Sequence, residues 1–421
     1  MAQKIRQKSF LSRLGPGLIT GASDDDPSGI GTYSQAGASF GFGMLWTALF
    51  MLPLMVVVQH LCAKIGMVSG RGLAGVLKDF YSRWLLYPAV LGLVVANTIN
   101  AGTDMAAIAA AINMFVPVPV TVLVIPIAAL IVGLQIWGSY ELIVKVFKWL
   151  TLSLFAYIIA AFLAHPNWGD VFYATVVPRF QLSGSYITTI VALLGTTISP
   201  YLFFWQASEE VEEEVVKGRD SLDARLGATN DELRREKVDT ILGMALSNVV
   251  AYFVILAAAS TLFAAGKNEI KSATEAAQAL SPLAGNGASF LFAVGIIGTG
   301  LLGVPVLTGS SAYAVSETFG WTCSLNEKPR HAKRFYSVIA VSTLIGLLVN
   351  FSGIDPITAL FWTAVVNGVI APPLLVIVML VSNNKRVIGD RTNSTWTNIV
   401  GWLAAVIMFT AAVGMFLTWN S

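Results

Sequence analysis

The fold is decided by an acidic, proline-containing stretch near the N-terminus, Asp24-Asp25-Asp26-Pro27-Ser28-Gly29-Ile30-Gly31. It interrupts an apolar segment that extends from Leu14 to Phe40. A charged side chain near a bilayer centre costs at least about 2.5–3.5 kcal/mol, so such residues face a cavity and mark the path of an ion or substrate. Unwound backbone at membrane depth is tolerated only where it lines such a cavity. Because apolar residues continue on both sides, the stretch predicts a broken membrane helix with a cation site rather than an external loop.

The composition places the chain in a membrane. Of its 421 residues, 55% are hydrophobic and only 12% are charged, and the mean hydropathy is +0.71. The lengths of the apolar segments predict eleven transmembrane spans. They are 14–40 (broken), 44–63, 84–113, 119–140, 146–164, 185–208 (broken), 238–264, 288–316, 335–351, 356–381 and 397–419.

Basic residues predict how these spans are oriented. If the N-terminus is cytoplasmic, 23 of the 26 Lys and Arg residues fall on the cytoplasmic side, and only Arg179, Lys267 and Lys271 fall outside. Such an excess of positive charge on one side sets the orientation of a membrane protein. We therefore expect a multi-pass protein of the plasma (inner) membrane, with its N-terminus in the cytoplasm and its C-terminus outside.

A second interruption lies in the sixth span, at Gly195-Thr196-Thr197-Ile198-Ser199-Pro200-Tyr201. Alone it could be a simple proline kink. Its position suggests more, because five spans separate it from the first break, so spans 1–5 and 6–10 would form repeats of opposite orientation. Paired breaks in two inverted halves indicate the midplane site of a transporter. The pattern predicts an all-α, LeuT-like fold with broken helices 1 and 6 and an appended eleventh helix.

This fold divides the chain into four parts. Residues 1–13 form a cytoplasmic N-terminus, 14–164 the first five-helix repeat, 185–381 the second repeat, and 397–421 the eleventh helix.

The two breaks resemble motifs of a known family, the NRAMP (natural resistance-associated macrophage protein) divalent-metal transporters. Asp26-Pro27-Ser28-Gly29 is similar to the family's Asp-Pro-Gly-Asn motif, and Ser199-Pro200-Tyr201 to its Met-Pro-His motif. The stretch from Gln59 to Ala74 resembles the family's second helix and following loop. The resemblance implies alternating-access transport of a divalent cation.

The resemblance also implies which residues hold the ion. Asp26 is kept from the family's ligand set, whereas Gly29 replaces the family's Asn and Ser199 replaces its Met. The backbone carbonyls that would contribute are those of Ser23 and Thr196.

Four further residues complete the predicted surroundings of the ion. Asp25, like Asp24, adds negative charge, and Tyr201 stands where the family has a His. Asn367, followed by Gly368, roughly occupies the place of a metal-facing Gln in the tenth span, although a helix-packing role is as consistent with its position.

The departures from the family change the expected cargo. A thioether suits transition metals, whereas carboxylate, hydroxyl, carbonyl and water oxygens suit Mg²⁺, Ca²⁺ or Mn²⁺. Mg²⁺ keeps several waters and is bound by one or two carboxylates. The pattern resembles the NRAMP-related magnesium transporters, so Mg²⁺ is the expected cargo, with Mn²⁺ also plausible. The alternative is a proton-coupled Mn²⁺/Fe²⁺ transporter whose site tolerates Ser199.

Proton coupling is not expected. The resemblance assigns the family's proton path to an Asp and a Glu of the third helix and to the sixth-helix His. Asp104 is kept, but the Glu position is Ala107 and the His position is Tyr201. Tyrosine, with a reference pKa of about 10, is a poor proton carrier near neutral pH. We therefore expect voltage-driven transport, and we expect the three histidines, including His60, to be solvated.

Other functions fit the sequence less well. A sodium-coupled symporter of organic solutes would need a first break rich in Gly and backbone donors rather than three acids, and a channel could also pass Mg²⁺. No catalytic or cofactor motif is present, and Cys62 and Cys323 have no metal-ligand spacing. The expected partners are the transported ion and the lipid bilayer, without a cofactor, nucleic acid or obligate protein partner. The acidic run Glu209–Glu214 is interpreted as a solvated helix end, or else as a focus for cations.

Overall fold

The computed structural model describes residues 15–137, 155–325 and 327–419, and the regular elements in these ranges are helices. We number them α1 Pro16–Asp24, α2 Pro27–Phe40, α3 Leu45–Ser69, α4 Leu73–Phe80, α5 Arg83–Asn113, α6 Val120–Trp137, α7 Phe155–Leu163, α8 Trp168–Val176, α9 Gly184–Thr197, α10 Pro200–Val216, α11 Leu222–Arg225, α12 Asn230–Ala258, α13 Ala273–Ala277, α14 Ser281–Ala284, α15 Ala288–Phe319, α16 Lys333–Val349, α17 Pro356–Ser382, α18 Lys385–Ile388 and α19 Thr395–Leu417.

Each predicted span corresponds to a helix, or to a pair of half-helices, of the described chain. The largest differences are at the polar ends of helices: α3 continues to Ser69, α10 to Val216, and α12 begins at Asn230. Hydropathy detects only the apolar part of a helix, so it misses turns that extend into polar surroundings. The first part of the predicted fifth span, 146–154, and the end of the fourth, 138–140, lie outside the described residues.

Eight helical stretches of the described chain are long and apolar enough to cross a membrane. The number is below eleven because α2 and α3 form one continuous stretch, α7 has 9 residues and α16 has 17. The assignment of residues 1–13, 14–164, 185–381 and 397–421 to separate units stays a prediction.

Both predicted breaks are present, and they have the same form. Two non-helical residues separate α1 from α2, and two separate α9 from α10. The first residue of each break leaves the helical region, with φ/ψ of −85°/50° at Asp25 and −119°/59° at Ile198. The second is extended, and a proline then begins the next half-helix. Proline suits this first position because its missing N–H would have no intrahelical partner there.

Small residues let the broken helices pack tightly against their neighbours. A Cβ atom on Gly195 would lie 2.1 Å from the carbonyl oxygen of Ala364, so α9 and α17 are in backbone contact. Gly21 of α1 faces Gly243 of α12 in the same way, at 2.3 Å. Close backbone approach of this kind is the usual way in which membrane helices associate. It holds both breaks deep inside the helix bundle.

Candidate functional site

The centre of the site is Asp26, which immediately precedes α2 as its N-cap and is 1% exposed. Its Oδ1 atom accepts hydrogen bonds from the Gly29 backbone N–H and the Ser28 hydroxyl, both at 2.8 Å. A carboxylate at this position satisfies backbone donors that the helix itself cannot. The same geometry fixes the side chain within the break rather than leaving it free to rotate.

Two polar residues of α5 lie near the carboxylate of Asp26. Asn100 donates its Nδ2 hydrogen to Asp26 Oδ2 at 3.1 Å, and Asp104 lies one turn further along the same face. Gly303 of α15 makes room for both acids: a Cβ atom there would lie 3.0 Å from Asp26 Cβ and 3.7 Å from Asp104 Oδ2. Sequence reasoning predicted Asp104 and missed Asn100, although its spacing of four residues from Asp104 places the two on one helix face.

Asp24 and Asp25 turn away from this group. The Ser247 hydroxyl of α12 lies 2.6 Å from Asp24 Oδ2 and 3.2 Å from Asp25 Oδ1. Asp25, which was predicted beside the ion with Asp26, is therefore placed on the α12 side of the break, whereas Asp26 faces α5. The backbone explains the division, because Asp25 leaves the helical region and Asp26 is extended.

At the second break, the predicted ligands bond to one another. The Ser199 hydroxyl lies within hydrogen-bond distance of the Thr196 and Gly195 carbonyl oxygens, at 2.8 and 2.9 Å. Tyr201 donates its hydroxyl hydrogen to the Ser23 carbonyl oxygen at 2.9 Å, which links α10 directly to α1. A carbonyl oxygen has two lone pairs, so Ser23 and Thr196 each keep acceptor capacity for an ion.

Gly29 lies where the two breaks meet. A Cβ atom on Gly29 would lie 3.1 Å from Thr196 Oγ1 and 3.3 Å from the Asp24 carbonyl oxygen. Glycine at this position therefore does more than omit the amide of the family's Asn, because it lets the two breaks come into contact.

Several buried polar atoms around the breaks have no hydrogen-bond partner among the described residues. They include Asp24 Oδ1, Asn100 Oδ1 and both amide atoms of Asn367, which is 1% exposed on α17. No hydrogen bond connects Asn367 to the other predicted ligands. Buried polar groups are normally satisfied, so each of these atoms keeps hydrogen-bonding or ligating capacity that water or an ion could use.

The chemistry of the donor set fits a hard cation. In the described chain, no three His, Cys, Asp or Glu side chains come together closely enough to hold a metal on their own. A cation here would depend on one or two carboxylates, on carbonyl and hydroxyl oxygens, and on water. This is the kind of set that suits Mg²⁺ or Mn²⁺.

A cavity of about 800 Å³ is lined by α2, by the first half of α9, by the start of α17 and by residues 268–271. Gly31 and Thr189 are part of its lining, and they lie on α2 and α9 a short distance from Gly29 and Thr196 along the chain. We call this cavity the vestibule. In the predicted orientation it opens to the outside, since α2 extends away from the cytoplasmic N-terminus.

The interpretation of the acidic run as a solvated helix end is wrong for most of its residues. Four of its glutamates, Glu209, Glu210, Glu212 and Glu214, are buried. Glu214 pairs with Lys217 at 3.2 Å and with Arg219. The hydrogen bond that Arg219 donates to Glu232, together with the charge of Glu214, raises the pKa of the Arg219 guanidinium.

His60 was also expected to be solvated, but it is only partly exposed and pairs with a carboxylate. Its Nδ1 atom lies 2.7 Å from Glu236 Oε2 of α12, and the His side chain is 17% exposed. The partner comes from a helix that is 176 residues away in the sequence, which composition and periodicity cannot indicate.

Comparisons with known proteins agree with this architecture. A family model described as natural resistance-associated macrophage protein-like matches residues 17–418. The proteins named divalent metal cation transporter MntH from Deinococcus radiodurans and Bacillus subtilis are each 26% identical to this chain. The alignments cover 98% of this chain, and 91% and 93% of those proteins.

Solved structures show the same fold. A manganese transporter of Eremococcus coleocola superposes with a TM-score of 0.73 at 18% identity, covering 96% of this chain and 85% of that one. The inward-facing conformation of Mhp1 superposes with a TM-score of 0.52 at 14% identity, covering 97% and 91%. The predicted LeuT-like fold is thereby confirmed.

Proposed function

The chain belongs to the NRAMP family of divalent metal cation transporters, and from this premise we propose that it carries Mn²⁺ through the two breaks by alternating access. Mg²⁺ is the second candidate cargo. The names of the relatives favour Mn²⁺ over our magnesium interpretation, since none of the relatives described above is named for magnesium. An oxygen-rich site does not oppose this choice, because Mn²⁺ accepts oxygen ligands as Mg²⁺ does.

The observation that carries the proposal is a group of four buried aspartates that have no basic partner in the part of the chain that the structure describes. Asp24, Asp25, Asp26 and Asp104 are all buried, and no Lys, Arg or His of the described chain forms an ion pair with any of them. A buried carboxylate without a partner is strongly unfavourable, so the group calls for a cation or for protons. A sodium-coupled symporter of organic solutes would instead place donors here to receive its substrate.

What keeps Mg²⁺ as a candidate is Ser199. The family's Met position carries a hydroxyl group here, so the matched position supplies no soft ligand. We further propose that metal transport is not coupled to protons, because Ala107 and Tyr201 replace the family's Glu and His. Asp104 is the one matched acid of that path.

The test is uptake into proteoliposomes that contain a metal-sensitive dye and a pH-sensitive dye, with protein-free liposomes as the control. We expect saturable Mn²⁺ uptake that is driven by an inside-negative voltage, reduced by competing Mg²⁺, and unaccompanied by acidification.

Three outcomes would contradict parts of the proposal. Proton influx that scales with metal influx would show that transport is coupled. Mg²⁺ uptake without Mn²⁺ uptake would reverse the order of the two cargoes. Sodium-driven uptake of an organic solute without metal transport would exclude the function itself.

A further inference from the structure

The N-terminal end of α1 is held by a single side chain of α12. Asp239 accepts hydrogen bonds from three backbone N–H groups, those of Gly15 at 3.1 Å, Gly17 at 2.8 Å and Leu18 at 3.3 Å. The first N–H groups of a helix have no partner within it, and the positive end of the helix dipole attracts a carboxylate. Asp239 therefore satisfies most of the free donors at this end of α1.

Backbone contact continues along the same side of α1. A Cβ atom on Gly17 would lie 2.7 Å from the Thr240 backbone nitrogen, and one on Gly243 would lie 2.2 Å from the Gly17 carbonyl oxygen. This backbone contact brings α1 and α12 close together along one face. The hydrogen bonds to Asp239 add a polar attachment at the N-terminal end of α1.

The opposite side of α1 has a second polar link. The Thr20 hydroxyl, which is fully buried, hydrogen-bonds to the Gln206 side-chain oxygen of α10, and Gln206 donates to Glu210 Oε1 at 2.9 Å. The N-terminal half of α1 is therefore attached by polar contacts on two sides, to Asp239 of α12 and to Gln206 of α10.

We propose that Asp239 is a positioning residue that keeps the cytoplasmic side of the transporter closed by holding α1 against α12. The break at Asp25 and Asp26 then serves as the hinge. When the Asp239 contacts are lost, α1 moves away, Asp24 separates from Ser247, and the site opens toward the cytoplasm. The inference deepens the proposed function, because it rests on alternating access around the two breaks.

The experiment measures the opening of α1 with a thiol introduced at position 20. Thr20→Cys is placed in a background of Cys62→Ser and Cys323→Ser, and inside-out vesicles are treated with a membrane-impermeant maleimide. Adding Asp239→Asn is expected to raise the labelling rate about 10-fold to about 100-fold, the effect of losing hydrogen bonds to a charged group. Asp231→Asn is the matched control, since it removes the same charge from an exposed position of the same helix.

A second reporter separates gate opening from a loosened structure. Thr188→Cys lines the vestibule on the far side of the breaks, and alternating access requires its labelling from outside to fall when labelling at position 20 rises. Asp239→Glu, which keeps a carboxylate, is expected to stay closer to the parent than Asp239→Asn. If Asp239→Asn does not reach the membrane, Asp239→Ser replaces it as the variant that removes the charge.

The labelling results test the inference without the need for a transported ion. Opposite changes at the two reporters support it. Unchanged labelling at position 20, an increase at both reporters, or an equal effect of Asp231→Asn would overturn it. Because labelling is measured without metal, a wrong cargo assignment leaves these results unaffected.

Discussion

The two breaks have the same backbone form, but their side chains form different hydrogen bonds. Each consists of two residues followed by a proline, yet the Asp26 side chain caps the half-helix that follows it, whereas the Ser199 side chain makes no cap. The Ser199 hydroxyl instead reaches back to the carbonyl oxygens at the end of α9.

We propose that this difference divides the work of holding a cation between the two breaks. On this proposal the first break contributes negative charge, and the second contributes carbonyl dipoles at the negative end of α9. We therefore expect substitutions at the first break to reduce metal uptake more than substitutions at the second break.

The largest effect is expected from Asp26→Asn. The amide keeps the size of the side chain and can still accept from Gly29, but it removes the charge that faces the ion. Loss of outer-shell partners alone costs 10- to 100-fold in metal sites, so we expect Mn²⁺ uptake to fall at least about 100-fold. Initial uptake rates in proteoliposomes measure this change.

Asp25→Asn is the control for that comparison, because Asp25 faces Ser247 rather than Asn100. We expect a fall of less than about tenfold. Equal losses in the two variants would show that the first break acts as one undivided cluster, and near-normal uptake by Asp26→Asn would show that the ion lies elsewhere.

Gly29→Ala tests the contact between the breaks. The added Cβ atom would press on Thr196 Oγ1 and the Asp24 carbonyl oxygen, at 3.1 and 3.3 Å. Misplacement of site groups by a fraction of an ångström is expected to lower uptake roughly tenfold. Gly31→Ala is the control, since its Cβ atom would meet only the Leu360 side chain, and a comparable loss there would indicate general crowding of α2.

Local features of the sequence explain why the breaks could be predicted and their partners could not. Proline, glycine and aspartate within an apolar segment act on their own backbone, so the two breaks in the helices were predicted correctly. Asn100, Ser247 and the His60–Glu236 pair depend on which helices lie side by side. Nothing in a single span shows that its polar residue faces a partner on a distant helix.

The acidic run Glu209–Glu214 shows again that contacts between distant helices cannot be predicted from one span. Its charge predicted exposure, but burial is decided by partners such as Tyr313, which donates its hydroxyl hydrogen to Glu212 at 2.9 Å. The assignments of all the predicted ion-site residues stay predictions, as do their roles in transport: Ser23, Asp25, Asp26, Gly29, Thr196, Ser199, Tyr201 and Asn367.

A smaller effect is expected when the family's ligands are restored by Gly29→Asn with Ser199→Met. A thioether favours soft metals, so competition by Cd²⁺ should increase relative to Mg²⁺. The narrow space at Gly29 limits how far an Asn side chain there can increase competition by Cd²⁺. Ser199→Met alone is therefore the more informative variant, and Ser199→Ala is its control. A shift in Ser199→Ala equal to that in Ser199→Met would mean that removal of the hydroxyl, not addition of sulfur, sets the preference.

The smallest effect is expected from Tyr201→Phe, which removes the hydrogen bond that joins the two breaks directly. The Ser23 carbonyl oxygen then loses its donor at 2.9 Å while the ring still fills the same space. The loss should cost about 1 kcal/mol in stability, measured as a lower unfolding temperature, and leave Mn²⁺ uptake within a few-fold of the parent. Because we assign the hydroxyl a positioning role, the dependence of uptake on external pH should not change. If Tyr201→Phe removes a pH dependence that the parent protein shows, the hydroxyl carries protons, and the second break contributes more than carbonyl dipoles.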